Sequence, residues 1–335
     1  MDLIIHVGAH KSGTTTLQEA LWQNAQALAG CNVLYPTTGL YGSQHALIPA
    51  CLLASHPFLA DVPRSHQLDH YIQALQAQLT QQAPALTILS SEVFSEVIWD
   101  RDGCLDMIQR LSRLFDQTSI LLTVREEKEQ ALSSLRHMLR LGSPEALADP
   151  IRLYTSTCSF SQSVKQFWAQ SGVPLILKHM PGGPVDLVDH YIGDTIAHYS
   201  PEAAALLQHT SVGPTGDPIS HNVDSNSLLA YMVVLLIANS PGLVLPPGQA
   251  VFDRVVDQCN RAVSLTEQAA LLTSSHLIHY LDSLSSLTSA HDSPAGPAIA
   301  MDIKLEAMVR AGLQPRARVL AHLIALRVIG ELSAR

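Results

Sequence analysis

Charge is scarce in this 335-residue chain. Only 15% of its residues are Asp, Glu, Lys or Arg, against about 25% in an average soluble domain, while 47% are hydrophobic. That balance excludes a largely disordered chain. Lysine and arginine together number 20 against 29 acidic residues, for a net charge of −9, so a broad basic face for nucleic acid is not expected. Cysteine is rare too: Cys31, Cys51, Cys104, Cys158 and Cys259 are scattered, odd in number and free of any Cys-x-x-Cys pair. Neither a disulfide scaffold nor a cysteine metal site is expected. The longest apolar run, Leu228 to Ala238, is too short for a bilayer, and the first strand pattern starts two residues after Met1, leaving no room for a signal peptide. A reducing cytoplasm is the expected setting, and a membrane-anchored Golgi enzyme is disfavoured. With 335 residues there is ample chain for one large core.

What the chain does have is concentrated at its start. Leu3-Ile4-Ile5-His6-Val7 is an apolar, β-branched run, followed by Gly8-Ala9-His10-Lys11-Ser12-Gly13-Thr14-Thr15-Thr16 and then a helical pattern through Leu17, Leu21 and Leu28. A strand, a glycine-bearing loop and a helix N-terminus make an anion site. The glycines permit close backbone approach, the helix start adds its positive dipole end, Lys11 supplies a charge and four hydroxyls supply donors. The nucleotide-triphosphate loop has Gly, four residues, Gly, Lys, then Ser or Thr. Here Thr14 stands where that pattern needs its lysine, and the lysine lies inside the loop. A small-molecule kinase is disfavoured on that ground, and by the lack of an evident magnesium-binding aspartate at a strand end.

Further strands are expected at Leu86–Leu89, Ser119–Val124 and Val173–Lys178, with a short extended piece at Asn32–Pro36. Helices are expected over Leu68–Leu79, Leu105–Phe115, Glu127–Gly142, Ile151–Ser171 and Val185–Ile192. Strands alternating with helices imply an α/β fold with a central parallel sheet flanked by helices. Residues 1–195 are expected to form this core. Residues 196–335 are expected to be a mainly helical C-terminal region: Leu228–Ala238, Gln249–Leu272 and Met301–Arg335, the last split by Gly312 and Pro315. A flexible linker is expected near 283–297, where Ser, Ala, Pro and Gly cluster.

Two strand ends carry further chemistry. Ser90-Ser91-Glu92 follows the second strand, and carboxyl ends of strands are where open α/β sheets hold ligands. Arg125 closes the third, with Ser133 eight residues on in a helix. An arginine at a strand end and a serine in the next helix can converge on one anion, and Arg136 can reinforce them.

Together, Lys-Ser-Gly-Thr-Thr, Val-Arg-x₇-Ser, Leu34-Tyr35-Pro36 and Ser90-Ser91-Glu92 resemble the landmarks of the sulfotransferases that use 3′-phosphoadenosine 5′-phosphosulfate (PAPS), the bacterial carbohydrate-type enzymes in particular. The resemblance covers roughly residues 3 to 180. It implies a P-loop-like sheet, PAPS as sulfuryl donor and PAP as product, no metal, and a hydroxyl or amine of a carbohydrate or other small molecule as acceptor. It further implies that Lys11, Ser12, Gly13, Thr14, Thr15 and Thr16 hold the phosphosulfate and that Arg125 and Ser133 hold the 3′-phosphate, with His10 in the loop and Arg136 on the helix as further candidates for donor binding. Lys11 would stabilise the leaving group, with Glu92 as general base. His45 competes with Glu92 for the base role because a histidine is partly unprotonated at neutral pH. His10 could line the acceptor side or pack on the sheet, and Glu96 is expected to be solvated. A protein that keeps the loop but binds nucleotide without chemistry is the alternative of a different class.

Overall fold

The computed structural model describes residues 1–53, 68–181, 186–210, 228–238, 250–262, 272, 274–289 and 301–333. The chain is an α/β protein with a five-stranded, all-parallel sheet flanked by helices and further helices toward the C-terminus. It divides into two compact units, one formed by residues 1–126 and 161–223 and the other by residues 127–160 and 224–335.

The first unit holds the sheet. Strand β1 (Asp2–Gly8) leads through α1 (Thr14–Gln23) and α2 (Ala25–Gly30) to the two-residue edge strand β2 (Val33–Leu34). After α3 (Leu47–Ala50) and α4 (Leu68–Gln82) comes β3 (Leu86–Ser91), then α5 (Val93–Glu96), α6 (Arg101–Ser112) and β4 (Gln117–Val124). The strand order is β2-β3-β1-β4-β5, β5 being Leu175–His179. Strand β1 is central, and Leu3, Ile4, Ile5 and Val7 are buried because helices cover both faces of a parallel sheet. That explains the unbroken apolar run. The chain turns to one side after β1 and to the other after β3, so the carboxyl ends of β3, β1 and β4 flank the topological switch point. Ile4, Leu17, Leu21, Ile88, Leu121 and Tyr191 pack in one core cluster on this sheet.

The second unit is helical. Helix α7 (Glu127–Arg140), α8 (Pro144–Ala148) and the first part of α9 (Pro150–Ala169) put Ala131, Leu135, Leu139 and Tyr154 into one cluster with residues from the C-terminal third. The two units thus interleave along the chain, and residue 195 lies within the first of them. Three helices that follow β4 in sequence bury their apolar faces in a cluster with residues from Leu229 onward, a pairing that helical periodicity does not reveal.

In the first unit a π-turn (Asp189–Gly193) and two helices, α10 (Asp194–Tyr199) and α11 (Pro201–Thr210), follow β5, where one helix was expected to end at Ile192. In the second unit α12 (Leu228–Ile237) has every residue from Leu229 to Ile237 buried. Around it stand α13 (Ala250–Ala262), α14 (Ser274–Ser289), α15 (Met301–Arg310) and α16 (Pro315–Ser333). The expected linker is corrected in part: Ser283 to Ser289 are the last turns of α14, and 290–297 lie outside the described residues. So do the loop expected at Pro57–Arg64 and the stretch from Gly213 to Asn222.

Buried Lys304 donates from Nζ to the carbonyls of Leu236 (2.9 Å) and Ala238 (2.6 Å), closing the C-terminus of α12. Burial pushes its ammonium down to about 8. Among the described residues no helix is long and apolar enough to cross a membrane.

Candidate functional site at the carboxyl end of the central strand

The loop from Ala9 to Gly13 joins the end of β1 to the start of α1. Gly8 is required because a Cβ there would overlap the Thr14 side chain. Gly13 is required twice, by its φ of 81° and because a Cβ would lie 2.7 Å from Leu187 Cδ1. Gly13→Ala is therefore expected to destabilise the first unit by roughly 1–3 kcal/mol, read as a lower urea midpoint. An unchanged midpoint would count against the strained loop.

Lys11 also takes the left-handed conformation, φ 65°. A side chain there costs roughly 1–2 kcal/mol relative to glycine, and such strain gathers at ligand sites. No side chain caps α1, so Thr14, Thr15 and Thr16 open the helix with their N–H groups and its dipole uncovered by a cap. Tyr191, fully buried, braces the loop by donating to the Ser12 carbonyl at 2.6 Å.

The hydroxyls of the loop divide into two sets. Ser12 Oγ donates to the Ala9 carbonyl at 2.6 Å, and Thr14 Oγ1 donates to Glu92 Oε1. Both side chains are buried, whereas Thr15 and Thr16 are partly exposed.

Glu92 directly follows β3, and its second oxygen, Oε2, accepts from His10 Nδ1 at 2.6 Å, while His10 Nε2 donates to Glu96 Oε1 at 2.8 Å. With carboxylates on both ring nitrogens, His10 is an imidazolium. Burial works against its charge, but the hydrogen bonds and charges of Glu92 and then Glu96 outweigh burial and push it up to about 10. Burial likewise opposes ionisation of Glu92; the His10 hydrogen bond and charge, the Thr14 hydroxyl and the Lys11 charge together hold it below the ordinary carboxylate range. Lys11 and Glu92 thus act on each other electrostatically. Glu96, expected to be solvated, is instead a partner of the loop.

His45 does not fit the base role. It is fully buried, Nε2 donates to the Pro36 carbonyl at 2.8 Å, Nδ1 accepts the Ser90 N–H at 3.0 Å, and burial lowers it to about 4. With both nitrogens engaged inside the fold, it pins the Leu34-Tyr35-Pro36 segment to β3 and has none left for an acceptor's proton.

Arg125 follows β4 at the same sheet edge. Its charge reaches Tyr191, the residue that braces Ser12. Ser133 and Arg136 lie on α7 in the second unit, where Arg136 stands over the Tyr231 ring, 4.8 Å from its centroid. The structure therefore brings together His10, Lys11, Ser12, Gly13, Thr14, Thr15, Thr16, Glu92 and Arg125 in the first unit.

Three features escaped the sequence reading. His6 bridges two strands beneath the loop, Tyr191 anchors it from 179 positions away, and Trp99, closing the turn after Glu96, is 71% exposed. Only His6 left a sequence signal, as the polar residue interrupting the apolar run Leu3–Val7. Compared with protein-family models, with curated proteins and with solved structures, the chain finds no match.

Proposed function

We propose that the chain is a PAPS-dependent sulfotransferase, acting on a hydroxyl or amine of a carbohydrate or other small acceptor. The observation that carries this reading is Lys11, held in a left-handed loop between β1 and the uncapped start of α1, with ionised Glu92 within its electrostatic reach. A lysine inside the loop suits a donor whose bridging oxygen, between phosphate and sulfate, gathers charge as the bond to sulfur breaks. Sulfuryl transfer, like phosphoryl transfer, passes through a loosely bonded group and is governed by positioning and charge stabilisation.

In the proposed reaction the acceptor oxygen or nitrogen forms a bond to sulfur, the bond from sulfur to the bridging oxygen breaks, and PAP leaves with that electron pair, stabilised by Lys11. The acceptor's proton passes to Glu92. A carboxylate held below its ordinary pKa is a weak base, but it is ionised at neutral pH, and the acceptor grows acidic as its bond to sulfur forms. His10 counters the charge of Glu92 and Glu96 at the mouth of an anion site. Arg125, at the end of β4, supplies a second cation for the 3′-phosphate.

Titration calorimetry tests the donor assignment. PAP is expected to bind with Kd on the order of 1 μM, or about −8 kcal/mol, and ADP, lacking the 3′-phosphate, at least about tenfold more weakly, a difference of about 1.4 kcal/mol. Arg125→Ala should remove that preference. Equal binding of ADP would overturn the reading.

A second reading is favoured by one observation: both Glu92 oxygens are already engaged, by His10 and Thr14. A nucleotide-binding protein without chemistry would keep that arrangement. It is distinguished by PAP binding with no conversion of PAPS across an acceptor screen read by mass spectrometry.

A further inference from the structure

Beneath the anion loop, four fully buried side chains form a continuous series. His6 Nδ1 lies 2.7 Å from Ser90 Oγ, and His6 Nε2 lies 3.0 Å from Thr123 Oγ1. Thr123 Oγ1 lies 3.2 Å from Ser12 Oγ, which donates to the Ala9 carbonyl. His6, Ser90, Thr123 and Ser12 are each 0% exposed, so bulk water cannot supply or absorb a proton along this path.

The proton count fixes the directions from Ser12 to His6, and the neutral ring then fixes that at Ser90. Ser12 has one hydroxyl proton and spends it on Ala9, so toward Thr123 it accepts and Thr123 donates. Thr123 then has no proton left for His6 and must accept from it. His6 therefore carries its single proton on Nε2, and bare Nδ1 accepts the Ser90 hydroxyl. Burial keeps the ring neutral, with its pKa lowered to about 4, and a neutral ring is the form able to donate at one nitrogen and accept at the other. The register supports the path: His6 pairs directly with Ser90 on β3, while Thr123 on β4 sits opposite Gly8, whose successor Ala9 donates its N–H to the Thr123 carbonyl at 3.0 Å.

We propose that His6 is a positioning residue of the anion loop: its Nε2–H tautomer orients Thr123, which fixes Ser12 as a strut holding the loop in its anion-binding shape. Ser12 is thereby removed from the set of donor ligands, and Lys11 with the start of α1 is left to make the contacts. The inference rests on the anion-site reading above, and its consequences extend to the protein without ligand. A polar residue in the central strand is costly unless fully satisfied; here it joins the ends of three strands to the floor of the loop.

Nitrogen–proton correlation spectra of the histidine rings at pH 7 test the first part. A neutral His6 protonated on Nε2 is expected; a proton on Nδ1, or on both nitrogens, would overturn the series as drawn. Amide hydrogen exchange of residues 9–13 in the unliganded protein tests the second. Thr123→Val should speed it about tenfold or more, and Thr123→Ser, which restores the hydroxyl, should return it to within about threefold of the parent. PAP affinity should follow the same order. Thr123→Val with parental exchange and affinity would refute the positioning role, as would a loss that Thr123→Ser fails to rescue. If Thr123→Val does not fold, His6→Leu against His6→Gln gives the same contrast, since a glutamine amide nitrogen can reach the place of Nε2. Should exchange respond while PAP binds to none of these proteins, the donor assignment falls and the role of His6 stands.

Discussion

Lys11→Met is expected to slow sulfuryl transfer about a thousandfold, the effect of removing a preorganised group that stabilises developing charge. PAP affinity should fall far less, because α1 and Arg125 remain. The rate can be read before an acceptor is known, as the slow transfer of sulfate from PAPS to water followed by mass spectrometry. Methionine keeps the length of the side chain and the left-handed strain at φ 65°, so folding stability should change little. Lys11→Gly separates the two roles of the position. Glycine relieves the backbone and should stabilise the first unit by about 1 kcal/mol, while transfer is lost as completely as with methionine. A variant that is more stable and inactive identifies strain kept for function. A parental rate in Lys11→Met would remove Lys11 from the chemistry.

Acid should unfold the first unit well before its carboxylates titrate. His6 and His45 are neutral in the fold, each lowered to about 4 by burial, whereas in the unfolded chain each takes up a proton near pH 6.5. Between these values the unfolded state binds two more protons than the native one, so stability rises with pH by up to about 2.7 kcal/mol per unit. Across the interval each histidine accounts for at most about 3 kcal/mol. His10 works in the opposite direction. Its folded value is raised to about 10, so its contribution is complete below pH 6.5 and is lost as pH climbs through that range. Glu92, held low, contributes above about pH 4.5 and is lost as pH falls below it. The expected profile has its maximum near pH 6.5. Thermal melts between pH 4.5 and 8 check it, and His10→Gln should flatten the alkaline side while leaving the rise from pH 5 to 6.5 in place. A melting temperature that is constant from pH 5 to 6.5 would mean that His6 and His45 are not held neutral.

The sheet was legible because a parallel strand covered on both faces writes its burial directly into sequence: Leu3–Val7, Leu86–Leu89 and Ser119–Val124 are short apolar runs ending in Gly, Ser or Arg. The loop was legible for a related reason, since Gly8 and Gly13 mark backbone that no other residue fits easily. Partners were not legible. The positions of Glu92 and Glu96 relative to His10 follow from the β1–β3 register, and a register joining residues 82 and 86 positions apart leaves no periodic trace. His45 misled because a histidine beside an apolar run looks the same whether it faces a ligand or fills its two hydrogen bonds inside the fold. Apolar stripes on α7 to α9 likewise declare that they need a partner without naming one.

That last feature bears on how the chain matures. The first unit is left at residue 126 and re-entered at 161, so β5, one edge of the sheet, is synthesised only after α7, α8 and α9. Those helices bury Ala131, Leu135, Leu139 and Tyr154 in a cluster completed by residues as late as Val328. At about 5–20 residues per second of translation, roughly 7 to 30 seconds pass between emergence of the sheet's last strand and arrival of that cover. Throughout this time an apolar helical surface stands open on a nascent chain whose anion loop can already form, which makes the interval, and not the finished fold, the point at which chaperones have most to protect.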